Sequence, residues 1–309
     1  MRTLGIALLA ALALGAFGAS AASAAKDPYT VNTWTQYAGC PWEKYATHEI
    51  TDCFYGRTAG GKEGGEFKYG HFSVKLNQPV VIQGGFRGGG QEVEVEPATH
   101  GAETLESGDE TIVGGLKVIT PALQNETEWP TALKESFAAA KKNKETSKAT
   151  LKIVMVGDEC FTVPGCLSTE NILFEEGTAF RLPLKVVIKN AWLESLGGGP
   201  CQIGSDEHPI MQHLTSSGAG YADEVFNNNE EFTNLELHGS QLVDTSWHIE
   251  PESGANGCGG SEYESYIDAA LNKALEVQYP WKTGITWLKG DLHDAAASVV
   301  SEKGEKGEL

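Results

Sequence analysis

PVVIQGGFRGGGQEVEVE, residues 79 to 96, is the stretch on which the reading of the fold turns. Pro79 to Phe86 is a short apolar run ended by glycines, the composition of a buried strand. Gln91 to Glu96 alternates strictly, which sets Val93 and Val95 inward and Glu92, Glu94 and Glu96 outward. The glycine-rich GGFRGGG between them, residues 84 to 90, lacks the Lys-Ser/Thr of a phosphate-binding loop and opens no helix. It reads as a hairpin or strand-end loop.

The same signals recur on both sides. FKYGHFSVKL alternates from Phe67, and TIVGGLKVIT (111 to 120) and ATLKIVMVG (149 to 157) are further candidate strands. ENILFEEG, TAFRLPLKVVIKNAWLE, PIMQHLTSS, FTNLELHG and GITWLKGDL follow, separated by Gly, Pro and Asn clusters. Helix signals are few. TALKESFAAAKKNK, opened by Pro130, puts Leu133, Phe137 and Ala140 on one face and gathers Lys141, Lys142 and Lys144 at its end. SEYESYIDAALNKALE carries Ser261 and Glu264 in capping-box spacing. The expected fold is all-β and sandwich-like, two antiparallel sheets with one or two short peripheral helices.

The ends bound the compartment. Arg2, the apolar run Leu4 to Phe17 and the small residues Ala22-Ser23-Ala24 read as a signal peptide over residues 1–25. The run is too short for a membrane span, and no later stretch is long enough for one. Residues 26–300 read as a single secreted β-rich domain, and the glycine-broken SEKGEKGEL at 301–309 as a disordered charged tail. The net charge is −19 for the chain. A surface that acidic repels nucleic acid and anionic lipid.

Six cysteines, Cys40, Cys53, Cys160, Cys166, Cys201 and Cys258, follow the leader. An even count in a secreted chain reads as a disulfide framework, and six allow 15 pairings. Proximity favours Cys40–Cys53 and Cys160–Cys166, which leaves Cys201–Cys258. In PCQIGSDEHPI, residues 200 to 210, Cys201 is then half a disulfide, and Asp206 and Glu207 sit in a polar turn rather than beside a nucleophile.

Three segments carry a resemblance. LPLKVVIKNAWL leads into CQIGSDEHPIMQHLTSS; LVDTSWHIEPESGANGCGG comes later, then YIDAALNKALEVQYPWKTGITWLKGDL. Their order resembles a group of uncharacterised secreted proteins of actinobacteria, in which Cys-x-Ile-Gly-Ser precedes a Pro-Ile strand and Ala-x-Gly-Cys-Gly precedes a short helix and a last strand. This chain has Asp-Thr-Ser at 244 to 246 where the group has Asp-Asn. The resemblance implies the fold and the Cys201–Cys258 pairing, and no activity.

Chemistry-bearing motifs are missing. There is no Gly-x-Ser-x-Gly, His-Glu-x-x-His, Cys-x-x-Cys or Asp-x-Asp-x-Asp-Gly. His208 and His213 are five apart, opposite faces of a strand. The acidic loops SGDET and NNNEE offer oxygen ligands for calcium. Neither a cofactor nor a metal site is expected. Trp34, Tyr37, Trp42 and Tyr45 cluster around Cys40 and could stack on sugar rings, or plug one end of the fold around the Cys40–Cys53 staple. The expected function is a non-catalytic secreted or cell-surface protein, a binding module or envelope component, with a cell-surface polysaccharide or another envelope protein as partner. The alternative is a secreted polysaccharide hydrolase using two Asp/Glu carboxylates.

Overall fold

The computed structural model describes residues 34–309 except 71, 88–93, 113, 120–128, 157–177, 217–220, 227–231, 278 and 280. The expected leader, Cys160 and Cys166, and the strand expected at ENILFEEG therefore lie outside the described residues.

The elements in chain order are two 3-10 helices, Thr35–Tyr37 and Trp42–Thr47, then β1 (Asp52–Thr58), a 3-10 turn at Gly61–Glu63, β2 (Gly65–Tyr69), β3 (Phe72–Lys75), β4 (Val81–Arg87), β5 (Glu94–Pro97), β6 (Leu105–Glu106) and β7 (Glu110–Thr111). Next come α1 (Leu116–Ile119), α2 (Thr131–Lys142), β8 (Thr150–Met155), β9 (Thr178–Lys189), α3 (Ala191–Ser195), β10 (Cys201–Ile203), β11 (Ile210–Ser216), β12 (Tyr221–Phe226) and β13 (Phe232–Asp244). A 3-10 turn at Pro251–Ser253, β14 (Ala255–Asn256), α4 (Gly260–Ala274), β15 (Ile285–Ala296) and α5 (Ala297–Glu305) complete the chain.

All described strand pairs are antiparallel, and β4 and β5 do form the expected ladder, with Phe86 opposite Val95 and Arg87 opposite Glu94. The strands do not divide into two separately bonded sheets. They join one network of order β14-β10-β9-β11-β13-β15-β1-β4-β5, with the short strands attached at its sides. Two long strands explain this. β9 pairs with β11 along its first half and β10 along its second, on one edge, and with β8 on the other. Likewise β15 pairs with β2 and then β1 on one edge and with β13 on the other. Strands that long twist strongly, and register shifts at Leu214/Thr215 and Leu237/Ser240 add curvature.

The sheet therefore curls. The segment Leu105–Thr111 bridges its two ends, pairing with β4 through Leu105 and Glu106 and with β8 through Glu110 and Thr111. Between those short ladders a side chain stands in for backbone pairing. Ser107 Oγ donates to the Ile153 carbonyl at 2.8 Å and accepts from its N–H at 2.9 Å. Buried Glu110 accepts from the N–H groups of Asn77 and Gln78 at 2.9 and 2.8 Å, which ties the seam to the β3–β4 turn. The ion pairs Lys152–Glu103 and Lys189–Asp109 lie over it, at 3.1 and 2.8 Å.

Two close approaches let neighbouring strands meet. A Cβ on Gly290 would lie 2.0 Å from the Arg57 carbonyl. Gly84, at φ +156°, leaves room for Phe54 and the Glu96 carbonyl.

Two cores result. The larger fills the inside of the curl and extends under α2, α3 and α4; Phe54 and Phe86 stack in it at 4.4 Å. The smaller, with Tyr37, Cys40, Cys53, Ala295 and Val300, lies on the outer face of β1 and β15, under the N-terminal 3-10 helices and α5. That second core corrects two expectations. Glu96 does lie on the face opposite buried Val95, but that face is covered; Glu96 is 8% exposed, ion-paired with Lys44 and, at 2.8 Å, with Arg87. Of residues 301–309, expected as a disordered tail, Ser301–Glu305 complete α5: Ser301 is buried, Gly304 abuts the Trp42 indole, and beyond the helix Leu309 packs against the core.

The helices follow local rules in part. In α2 the stripe Leu133, Phe137 and Ala140 is buried, and Phe137 packs against Trp129 and Trp192. The strand expected to run to Glu194 stops at Lys189, because Asn190 Oδ1 accepts from the N–H groups of Trp192 and Leu193 and starts α3. The expected Ser261 cap on α4 is not formed. The helix starts two residues earlier, after Gly259 in the left-handed region, and Glu264 and Asp268 accept from the N–H groups of Gly257 and Cys258. Nor is α4 peripheral: Ile267 and Leu271 are completely buried.

Candidate functional site

The curl encloses a partly open apolar compartment of about 70 Å³. Its lining comes from β1, β4, β6, β9, β11, β13 and β15, and includes Ile82, Phe180, Leu182, Leu214, Leu242 and Leu292. Each of these strands sends every second residue inward, so a cavity with so many donors is the interior of the sheet itself. At 10–15 Å³ per water, the space holds roughly five.

A separate, smaller cavity of about 10 Å³ shares Val80, Leu105, Leu182, Leu214 and Leu288 with it as common walls. Two polar side chains reach its wall. Gln212 (2% exposed) and Thr286 (0%) line it, and neither Gln212 Oε1 nor Thr286 Oγ1 has a hydrogen-bond partner. In β11, Gln212 lies between Ile210 and Leu214, both buried, so the pleat sends it inward with them.

In the opposite direction along β15 the inward face reaches Asp294, two residues beyond Leu292 and directly opposite Phe54. Asp52 lies two residues before Phe54 on the same face. The two carboxyls interact: burial, and then the charge of Asp52, push Asp294 well above the usual carboxylate range. Burial raises Asp52 as well, against a hydrogen bond from Thr51 that lowers it. Asp294 Oδ1 is inaccessible and unpartnered. Two carboxyls at this spacing cannot both ionise cheaply in an apolar wall.

The residues singled out in the sequence lie elsewhere. Cys40–Cys53 and Cys201–Cys258 are bonded, with sequence separations of 13 and 57. PCQIGSDEHPI is β10 followed by a turn: Ser205 N–H donates to the His208 carbonyl at 3.0 Å, and Asp206 pairs with Lys185 at 2.6 Å. Of the four aromatics, Tyr37 is 1% exposed, Trp34 packs on the outer core beneath the Lys303 ammonium, and Trp42 stacks on His100 at 5.8 Å. Only Tyr45 is exposed. A more exposed aromatic pair, Tyr279 and Trp281 with centroids 5.0 Å apart, sits after α4.

The acidic loop SGDET is occupied by its own contacts, since Asp109 pairs with Lys189 and Glu110 accepts from Asn77 and Gln78; NNNEE lies outside the described residues. Among the described residues no group of three His, Cys, Asp or Glu is arranged to hold a metal. Nor is any described helix long and apolar enough to cross a membrane. In comparisons with known proteins, no family model, no curated protein and no solved structure matches the chain.

Proposed function

We propose that the protein is a non-catalytic, secreted or cell-surface binding protein whose curled sheet takes a small apolar ligand into its interior. The observation that carries this is the 70 Å³ compartment, whose lining from strands all round the sheet is mostly apolar, with Arg57, Thr58 and Asp291 as its polar members. Ligand sites are concave and mostly apolar, and the mouths of β-barrels are a common place for them. The two disulfides support an oxidising, extracytoplasmic setting.

The polysaccharide-hydrolase alternative has one observation in its favour, the interacting Asp52 and Asp294. An interacting carboxyl pair can serve acid–base chemistry. The interior beside it, however, is too small and too apolar to seat a sugar ring between two carboxyls.

Titrating the protein with benzene, followed by methyl NMR shifts, tests the binding reading. Shifts at Leu214, Leu242 and Leu292 are expected, and Leu242→Phe, which fills the wide compartment, should abolish them. Absence of saturable shifts in the wild-type protein refutes an interior binding site.

A further inference from the structure

We infer that Trp281, braced by Tyr279, is a stacking platform on the outer surface for a neutral β-linked glucan, separate from the interior compartment.

Among the described residues four large apolar side chains stay exposed, Tyr45, Tyr279, Trp281 and Ile285. Tyr279 and Trp281 form a pair, with ring centroids 5.0 Å apart and planes 37° from parallel. Trp281 is 74% exposed and Tyr279 40%. With so much of the indole in solvent, Tyr279 backs one of its faces at most, and the other is open.

The loop beneath holds the pair in place. Tyr279 N–H donates to the Glu276 carbonyl at 3.0 Å, and Lys282 N–H to the Tyr279 carbonyl at 2.9 Å. On the way into β15, Gly284 N–H donates to the Trp247 carbonyl at 2.7 Å, and Gly284 lies against the Trp247 indole, where a Cβ would stand 2.1 Å away. Trp247 stacks in turn on Tyr69, whose hydroxyl donates to the Lys282 carbonyl at 3.4 Å. An open ring on a fixed turn gives up little conformational freedom when a ligand settles on it.

Area and charge select the occupant. At 150–250 Å² for a whole aromatic side chain, the pair offers roughly 250 Å². A stable protein interface takes about 800 Å² from each partner. The patch therefore suits one or two sugar rings rather than a folded protein. Its surroundings are polar and locally balanced. Lys282 pairs with Glu276 and His248 with Glu250, each at 2.5 Å, and Lys282, Glu276 and Glu250 all lie within electrostatic reach of the Tyr69 hydroxyl. Because Lys282 offsets the carboxylate beside it, the patch gives a quaternary ammonium no free counter-charge. The net charge of −19 repels polyanions and acidic lipid. An uncharged sugar meets neither objection. An ammonium and carboxylates retain hydrogen-bonding capacity for its hydroxyls beyond their own pairing. Glucose in β-linkage carries its hydroxyls equatorially and leaves axial C–H groups on its faces, and these partly positive hydrogens meet the negative face of the indole.

The probes are cellohexaose and laminarihexaose, titrated into the full chain and followed at the Trp281 indole N–H and the Tyr279 ring protons. Saturable shifts at both residues are expected. They should persist in Leu242→Phe, which fills the interior. Trp281→Ala should weaken binding roughly tenfold, the scale of one lost stacking contact, and Trp281→Phe should restore part of it. Trp281 is too exposed for either change to unfold the protein. The platform is overturned if neither oligosaccharide binds, or if binding survives Trp281→Ala undiminished. It is equally overturned if the Trp281 shifts come instead from tetramethylammonium, from phosphatidylcholine vesicles or from raising the protein concentration alone.

Discussion

Asp268 and Asp294 hold protons that an unfolded chain would release. Burial is the main cause for both; it pushes Asp268 to about 7 from an ordinary 3.8, although the N–H groups of Cys258 and Gly257 pull the other way. Asp294 is raised by burial and by Asp52. With folded values above unfolded ones, the folded state binds more protons above about pH 4, so these groups stabilise it at acid pH; the Asp268 contribution is lost as pH rises through about 7, and that of Asp294 as pH rises through its own raised value. Exposed Glu302 and Glu308 shift the opposite way through Lys306 and Lys303, but solvent screens them. The melting temperature should be higher at pH 5 than at pH 8, and Asp294→Asn or Asp268→Asn should each narrow the gap. A wild-type Tm that climbs from pH 5 to pH 8 contradicts the assignment. None of this was legible in the sequence. Asp52 and Asp294 become neighbours only through the β1–β15 ladder. Gln212 did leave a signal, a polar residue at the inward phase between Ile210 and Leu214, where an apolar side chain belongs.

At the scale of elements, local pattern located most strands and both longer helices, and failed where a second layer of chain covers the first. Alternation assigned Val95 and Glu96 to opposite faces correctly. It could not foresee that Pro41, Lys44 and Ile50 roof the outer face of β4 and β5. The same hidden roof makes Ser301–Glu305 the end of a helix, since charge and glycine content say nothing about Val300 and Gly304 docking on Trp42 and its neighbours. Gly304 gives a test in which two rules oppose each other. Alanine in place of a helical glycine usually stabilises, by up to about 1 kcal/mol in a helix interior and less in the last turn, where Gly304 sits. Here the added Cβ would stand 2.5 Å from the Trp42 ring. Gly304→Ala should therefore lower the Tm, and a rise of a few degrees would show that α5 is not seated on Trp42.

For the whole molecule, two staples act on different lengths of chain. Cys201–Cys258 spans 57 residues and joins β10 to the entry of α4, while Cys40–Cys53 spans 13 within the outer core. Chain entropy alone assigns about 4 kcal/mol to the former and about 3 to the latter. Paired serine replacements should follow that order in thermal melts; a larger loss from Cys40/Cys53 would make the outer core the organiser of the fold. The overall curl was not foreseeable, because a sandwich and a curled sheet share the same short alternating strands. What separates them is the two-partner pairing of β9 and β15 and the bridge at Leu105–Thr111.

That bridge makes the molecule a hoop with a clasp. Its fastening is two ladders of two residue pairs each, to β4 and to β8, and between them one hydroxyl, one carboxylate and two surface ion pairs. Salt weakens surface pairs of that kind, which leaves the clasp its two short ladders and the Ser107 and Glu110 hydrogen bonds. A guest inside the hoop would then leave at the pace at which the clasp springs open. Amide hydrogen exchange should reveal that pace directly, fastest at residues 105 to 111 and 150 to 153, faster still in Ser107→Ala and at high salt, while the β13–β15 ladder stays closed.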